Sequence, residues 1–358
     1  MGRRGGTHYL IRWLWTSHRL DARLARTALL PAAAGWRLVM DLRAQAYRLA
    51  WLPAQPLGAP VVAVGNLTVG GSGKTPIASW IADWYVRAGV TPGILLRGYR
   101  GGDEAAVHQE RVPEARVVAD PDRVAGAGRA IADGARVLVL DDAYQRLDVR
   151  RDLNIAVVSA ETSRAVRWSL PAGPWREGLH ALRRADLLVV TRKRAPAEEA
   201  RAYADTLARW TDAPVAICRL EASSYVGLRS GGVVPREALA GRRVVAASGI
   251  ADPEAFIAQT KATGAAVQAA TWRDHHEFRD EDVAWLAKAA RRADHLVITQ
   301  KDAVKLRGRW PAGVPEPLVA LLDLVWESGQ DRLEEALGRL LDPRATGRGR
   351  NPEPVSLP

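Results

Sequence analysis

Val61-Val-Ala-Val-Gly-Asn-Leu-Thr-Val-Gly-Gly-Ser-Gly-Lys-Thr75 is an apolar run that enters a glycine-rich turn and opens a helix on Lys-Thr. Strand, glycine turn and helix, in that order, is how a chain holds nucleotide phosphates. Gly70, Gly71 and Gly73 let backbone N–H groups curl around phosphate oxygens, with Thr68, Val69 and Ser72 completing the cradle. The helix beginning near Lys74 adds its positive dipole end, Lys74 reaches the β- and γ-phosphates, and the Thr75 hydroxyl is placed to bind Mg²⁺. Thr68 stands where the first glycine of G-x-x-x-x-G-K-[ST] belongs. A Gly/Ser-rich loop alone is often just a turn, but the strand before it and Lys74-Thr-Pro-Ile-Ala-Ser-Trp-Ile-Ala-Asp-Trp84 after it supply the context.

Beyond this loop the chain alternates strands and helices, the signature of a mostly parallel, doubly wound sheet. Strands are expected over residues 61–64, 92–96, 117–119, 137–140, 155–158, 187–190 and 215–218, and helices over 76–88, 122–133 and 196–210. Ser223-Ser-Tyr-Val-Gly-Leu-Arg-Ser-Gly-Gly-Val-Val-Pro235 reads as paired short strands and turns, a β linker over 223–241. A second, smaller α/β unit follows over 242–342, with strands at 244–247, 267–271, 296–299 and 318–322 and helices at 253–263 and 280–290. The tail 343–358, rich in Pro, Arg and Gly, reads as disordered. The expected fold is thus an α/β P-loop NTPase-type core over 61–222 joined to a second α/β domain, and 358 residues are enough for two cores.

The net charge of +11 is uneven. Within residues 1–60 stand Arg3, Arg4, Arg12, Arg19, Arg23, Arg26, Arg37, Arg43 and Arg48 against Asp21 and Asp41. From Trp36 to Trp51 the spacing is helical: Leu38, Val39, Leu42, Ala46, Leu49 and Ala50 share one face, with Arg37, Asp41, Ala44 and Arg48 opposite. With Trp13, Trp15, Trp36, Tyr47 and Trp51 as interfacial anchors, this region could lie on an anionic membrane leaflet, or its apolar face could pack on the core. Nucleic acid is disfavoured as the anionic partner, because no RNP, zinc-finger or helix-turn-helix signature accompanies the charge. No secretory signal and no spanning run of about 18 apolar residues is evident. The single Cys218 sits in an apolar run and reads as buried and inert, in keeping with a reducing compartment.

Three further clusters carry chemistry. Val137-Leu-Val-Leu-Asp-Asp142 is an apolar strand ending in paired carboxylates, either a Walker B site for Mg²⁺ or a solvated strand end. Gly102-Asp103-Glu104 follows a strand and turn, so it should lie at the carboxyl edge of the sheet, where ligands bind in open α/β folds. Asp274-His275-His276-Glu277 lacks spaced partners for zinc, and a functional histidine brought across an interdomain cleft is the better reading.

Taken in order, these segments resemble the lipid A 4′-kinases, or tetraacyldisaccharide 4′-kinases, from about Leu29 to Leu306. The resemblance rests on Gly65-Asn-Leu-Thr-Val-Gly-Gly-Ser-Gly-Lys-Thr-Pro76, Arg97-Gly-Tyr99, Gly102-Asp-Glu104, Asp122-Arg123 and Leu140-Asp-Asp-Ala-Tyr-Gln145. It continues through Pro171-Ala-Gly-Pro-Trp-Arg-Glu177, Ser248-Gly-Ile-Ala251, Asp274-His275 and Thr299-Gln-Lys-Asp-Ala-Val-Lys305. It implies a two-domain monomeric kinase, peripheral on the cytoplasmic face of the inner membrane, that phosphorylates an anionic glycolipid with ATP and Mg²⁺. In that reading Asp103 and His275 form a catalytic dyad that works with Lys74. Thr75, Glu104, Asp142 and Gln145 hold Mg²⁺, and Asn66, Arg123 and Arg176 meet the substrate, the two arginines being equally suited to the phosphates or to plain surface ion pairs.

The chain departs from the family pattern at Leu96, at Ala143-Tyr-Gln-Arg146 and at Gln300, and the loop between Tyr99 and Asp103 is short; the P-loop, Asp103, Glu104, Asp142, Gln145 and His275 remain. The rival is a P-loop GTPase or metallochaperone-like switch. Its guanine reader is missing after Val190, where Thr-Arg-Lys-Arg194 has no Asp, and Thr299-Gln-Lys-Asp302 lies in the other domain.

Overall fold

The computed structural model describes residues 6–98 and 102–342; Arg3, Arg4, Tyr99 and the expected tail 343–358 lie outside the described residues. Three helices open the chain: α1 (Gly6–Thr16), α2 (Leu20–Ala28) and α3 (Leu30–Arg48). The first half of the fold then runs β1 (Val61–Asn66), α4 (Lys74–Arg87), β2 (Pro92–Leu96), α5 (Asp103–Arg111), β3 (Arg116–Ala119), α6 (Arg123–Ala132), β4 (Val137–Leu140), β5 (Leu153–Ser159), β6 (Leu187–Arg192), α7 (Ala197–Ala208) and β7 (Val215–Gly227). The second half contains β8 (Val233–Pro235), β9 (Arg243–Ser248), α8 (Pro253–Lys261), β10 (Ala266–Thr271), α9 (Asp280–Ala290), β11 (His295–Thr299), α10 (Gln300–Leu306), β12 (Leu318–Ser328) and α11 (Gln330–Arg339).

The strands form one sheet in the order β10-β9-β11-β12-β7-β6-β5-β1-β4-β2-β3, with β8 beside β7. All neighbours are parallel except β7 with β12 and β7 with β8. β1 is buried along its whole length, as are β2, β4 and β5, which is why their sequences are continuous Val, Ile and Leu runs rather than alternating ones. β1 lies between β4 and β5, so its carboxyl end, with the glycine turn, emerges mid-sheet at the edge where open α/β sheets bind ligands.

Two differences from expectation concern the join between the halves. The boundary at 222/223 falls inside β7, which continues to Gly227 and pairs antiparallel with β12 from Gly227 to Ile217. The join is therefore a shared pair of long strands as well as the loop region after them. In addition, the last segment returns to the first half. Leu333, Ala336 and Leu337 of α11 lie in the same apolar core as Ile77, Ile81 and Tyr85 of α4, with Leu324 and Trp326 of β12 packed against it.

The expected helix 36–51 starts earlier and is α3. Its apolar face does not pack on the core: Leu38, Val39 and Leu42 are each about 60% exposed. The opposite side docks, with Arg37 and Asp41 meeting His180. Five described helices, α1, α2, α5, α10 and α11, lie outside the expected ones. α5 buries Asp103, Val107 and His108, so its inward stripe is mostly polar, and α10 spans only seven residues.

Candidate functional site

The glycine turn is held by backbone bonds to a distant segment. Val69 N–H donates to Pro174 O at 2.8 Å and Arg176 N–H to Leu67 O at 2.7 Å, while Thr68 bridges Trp175. The bridge explains the missing first glycine, because a β-branched residue suits extended, strand-like backbone. Asn66 and Ser72 are buried, and the Asn66 amide donates to Ser72 Oγ at 2.8 Å. Gly73 adopts φ 89° as the N-cap of α4, and no side chain caps that end. Its first-turn N–H groups thus face the loop with the helix dipole behind them, the arrangement that attracts an anion.

The residues that follow sort into two carboxylate partnerships. The Thr75 hydroxyl donates to Asp141 Oδ2 at 3.0 Å. Asp142 instead faces cations, with Oδ1 3.4 Å from Lys74 Nζ and 2.9 Å from Arg176 Nη1. Burial pushes both carboxyls up, but the hydrogen bond from His108 with Lys74 (Asp141), and Lys74 with Arg176 (Asp142), hold them below the ordinary range. Gln145 donates to Asn66 O and Glu177 and accepts from Arg176 Nη1 at 3.2 Å. Arg123 is buried at the start of α6, donating to Asp120 O, and burial pushes its pKa down to about 10. Trp36 and Arg43 of α3 donate to the carbonyls of Arg176 and Gln145, both at 2.9 Å.

The other half of the molecule meets this edge through α10 and the loop after β10. His275 Nδ1 lies 3.0 Å from Asp103 Oδ2, joining positions 172 residues apart, and Lys305 Nζ stands 3.2 Å from the same oxygen. Glu104 accepts from Lys301 at 2.7 Å. Burial would push the Asp103 carboxyl up, but the His275 hydrogen bond and charge with Lys305 and Lys301 outweigh it and bring the group to about 2. Reciprocally, the bond to Asp103 raises the His275 imidazole against the opposing effect of burial. Asp103 is 1% exposed, whereas the His275 side chain is 24% exposed. His275 and Asp142 are two of three non-glycine residues with positive φ among the described residues, 55° and 53°. Such strain persists only where surrounding contacts over-determine it, and it concentrates at functional sites.

A second bridge between the halves is Lys193, which donates to Gly71 O at 2.8 Å and pairs with Asp252 at 3.1 Å. Neither it nor His108 was singled out from sequence as a site residue. Asp141 carried a signal as the other member of the strand-end acidic pair, and Lys301 and Lys305 only as part of the Thr299–Lys305 segment of the resemblance. His276, adjacent to His275, stacks on Trp272 and bonds Asp282, so it serves the local core. Asp302, the candidate guanine reader of the rival reading, is fully buried and accepts from Gly249 N–H and the Thr299 hydroxyl; burial pushes it up to about 6. Its oxygens are taken up inside its own half.

For Mg²⁺ the available donors are hydroxyl and carboxylate oxygens, hard ligands of the right class. Among the described residues no group of three or more His, Cys, Asp or Glu could hold a metal alone. Mg²⁺ commonly shares its shell with substrate phosphates and water.

Residues 25–342 match the LpxK family model, tetraacyldisaccharide-1-P 4′-kinase. A tetraacyldisaccharide 4′-kinase of Aromatoleum aromaticum is 38% identical over 311 residues, 81% of this chain and 87% of that protein. One from Anaeromyxobacter dehalogenans is 37% identical over 343 residues, 88% of this chain and 90% of its own length. Among solved structures, an "apo" form of LpxK from Aquifex aeolicus in complex with ATP superposes with a TM-score of 0.69 at 26% identity. It covers 89% of this chain and 100% of the other.

Proposed function

The chain belongs to the tetraacyldisaccharide 4′-kinase family of lipid A biosynthesis, and on that premise we propose that it transfers the γ-phosphate of ATP to the 4′-hydroxyl of a tetraacyldisaccharide 1-phosphate, giving lipid IVA. The observation that carries the reading is the 3.0 Å contact of Asp103 with His275, made between two halves of the fold at the edge that bears the phosphate loop. The switch reading leaves that pair unexplained.

The loop from Thr68 to Thr75 binds the nucleotide, with Lys74 and the open end of α4 facing the phosphates. His275 is the accessible member of the dyad, and its Nε2 receives the proton of the attacking hydroxyl. Asp103 holds the imidazole at Nδ1 and stabilises the charge it gains. Phosphoryl transfer through a loose transition state asks for positioning and charge neutralisation more than for a strong base, so a modest base suffices. Thr75 and Asp141, with Asp142, Glu104 and Gln145 as further oxygen donors, would hold Mg²⁺. When bound, that ion supplies neutralisation of the β- and γ-phosphate oxygens. Asn66, Arg123 and Arg176 are assigned to the anionic glycolipid, the guanidinium being suited to bidentate contact with phosphate. The exposed apolar side of α2 and α3, set among arginines, supports peripheral attachment to the cytoplasmic face of the inner membrane. No described helix is long and apolar enough to cross it.

The test is transfer of ³²P from γ-labelled ATP to tetraacyldisaccharide 1-phosphate in detergent with Mg²⁺. Labelled bis-phosphorylated lipid is expected, falling at least about 100-fold in Lys74→Ala. Folded, nucleotide-binding protein that leaves the lipid unlabelled would overturn the reading.

A further inference from the structure

Helix α5 faces two ways. Asp103, its first residue, meets His275 and Lys305 of the second half, whereas His108, five residues on, points back into the first half. His108 is fully buried. Its Nε2 lies 3.1 Å from Asp141 Oδ2 and its Nδ1 2.8 Å from Ser79 Oγ of α4. An ionised carboxylate only accepts, so Nε2 is the donor in the first contact. Asp141 Oδ2 also accepts the Thr75 hydroxyl at 3.0 Å, and Oδ1 accepts Asp142 N–H at 2.8 Å. Three donors therefore fix one carboxylate beside the phosphate loop.

Ser79, His108 and Asp141 are respectively 2%, 0% and 2% exposed, so this chain of contacts cannot meet a substrate as a nucleophile would. An imidazole in a helix core is costly unless its nitrogens are partnered, and here both are. Nothing in the transfer step itself uses it. We infer that His108 is a positioning residue of the reaction, fixing Asp141 and through it the Thr75 hydroxyl for the Mg²⁺-nucleotide. Because it rides on α5, it also ties the placement of Asp103 to the phosphate-binding edge. The inference rests on the kinase reading, since it concerns the group those oxygens would hold. Partners one step behind a metal ligand commonly matter 10–100-fold.

Three substitutions separate positioning from packing. Gln places a donor near the Nε2 position, Asn reaches only as far as Nδ1, and Leu supplies neither. Wild-type lipid phosphorylation tests the kinase reading independently and is the reference. The readout is the Mg²⁺ concentration giving half-maximal binding of a fluorescent ATP analogue, measured beside thermal melting and nucleotide binding in EDTA. For His108→Leu and His108→Asn it should rise about tenfold, with EDTA binding unchanged and His108→Gln within about twofold of wild type. Folded Leu and Asn variants with the wild-type Mg²⁺ dependence, or a Gln variant as impaired as Asn, would overturn the proposal. If the Leu variant does not fold, the Asn and Gln pair decides.

Discussion

Asp103 stays ionised at 1% exposure because the His275 hydrogen bond and the Lys305 and Lys301 ammonium groups of the other half hold it so, and this has a measurable pH signature. Its carboxyl falls from 3.8 to about 2 on folding, so its contribution to stability is complete above the unfolded value and is lost as pH drops through the folded one. Nearly two units correspond to about 2 kcal/mol. Urea unfolding between about pH 4 and pH 2 should show wild type losing about that much more stability than Asp103→Asn; parallel curves would refute the ion-pair account. The dyad was legible in the sequence only through the family resemblance, since 172 residues separate its members. His108 was not legible, for a buried histidine on a helix looks like any polar residue until Asp141 and Ser79 are brought to it. Lys301 and Lys305 entered only as part of the Thr299–Lys305 segment of the resemblance, with no role attached, for the same reason.

At the scale of elements, the entry to α4 is the most constrained point. Gly73 has φ 89°, and a Cβ there would meet Leu220 Cδ1 at 2.5 Å and Thr191 Cγ2 at 3.3 Å. Gly73→Ala therefore combines backbone strain with overpacking, about 1–3 kcal/mol, and tilts the open N–H groups of the helix. A lowered melting temperature with weakened ATP binding is expected, and a wild-type melt together with wild-type affinity would contradict it. α4 itself was easy to read, because Ile77, Ala78, Ile81, Ala82 and Tyr85 recur at helical spacing and all are buried. The parallel strands were equally plain as apolar runs. β7 was cut short at Cys218 because its second half alternates: Glu221, Ser223 and Ser224 are half-buried between Leu220, Ala222 and Tyr225. That half pairs with β12, about a hundred residues away, and no local pattern announces such a partner.

Over the whole molecule, the exposed apolar residues of α2, α3 and the turn after α3 sit on a chain region rich in arginine, with Leu20, Leu24, Leu38, Val39, Leu42 and Trp51 all 59–75% exposed. Placing two charges there costs the fold little, since those side chains already face outward. Leu38→Glu combined with Leu42→Glu should lower flotation with anionic vesicles by about tenfold or more while melting and ATP binding stay unchanged. Unaltered flotation would mean that this surface does not hold the protein to lipid. Two halves could be foreseen from composition and strand spacing, but their interlocking could not. α11 and the end of β12, the last described elements, fill the core beneath the phosphate loop, with Tyr85 bonded to the Leu337 carbonyl. During synthesis the half that begins near residue 61 therefore stays open on one side until Leu333–Leu337 have emerged from the ribosome. A truncated product carries an unsealed apolar face, which quality-control proteases and chaperones recognise, rather than a free-standing nucleotide-binding fragment that could sequester ATP or substrate.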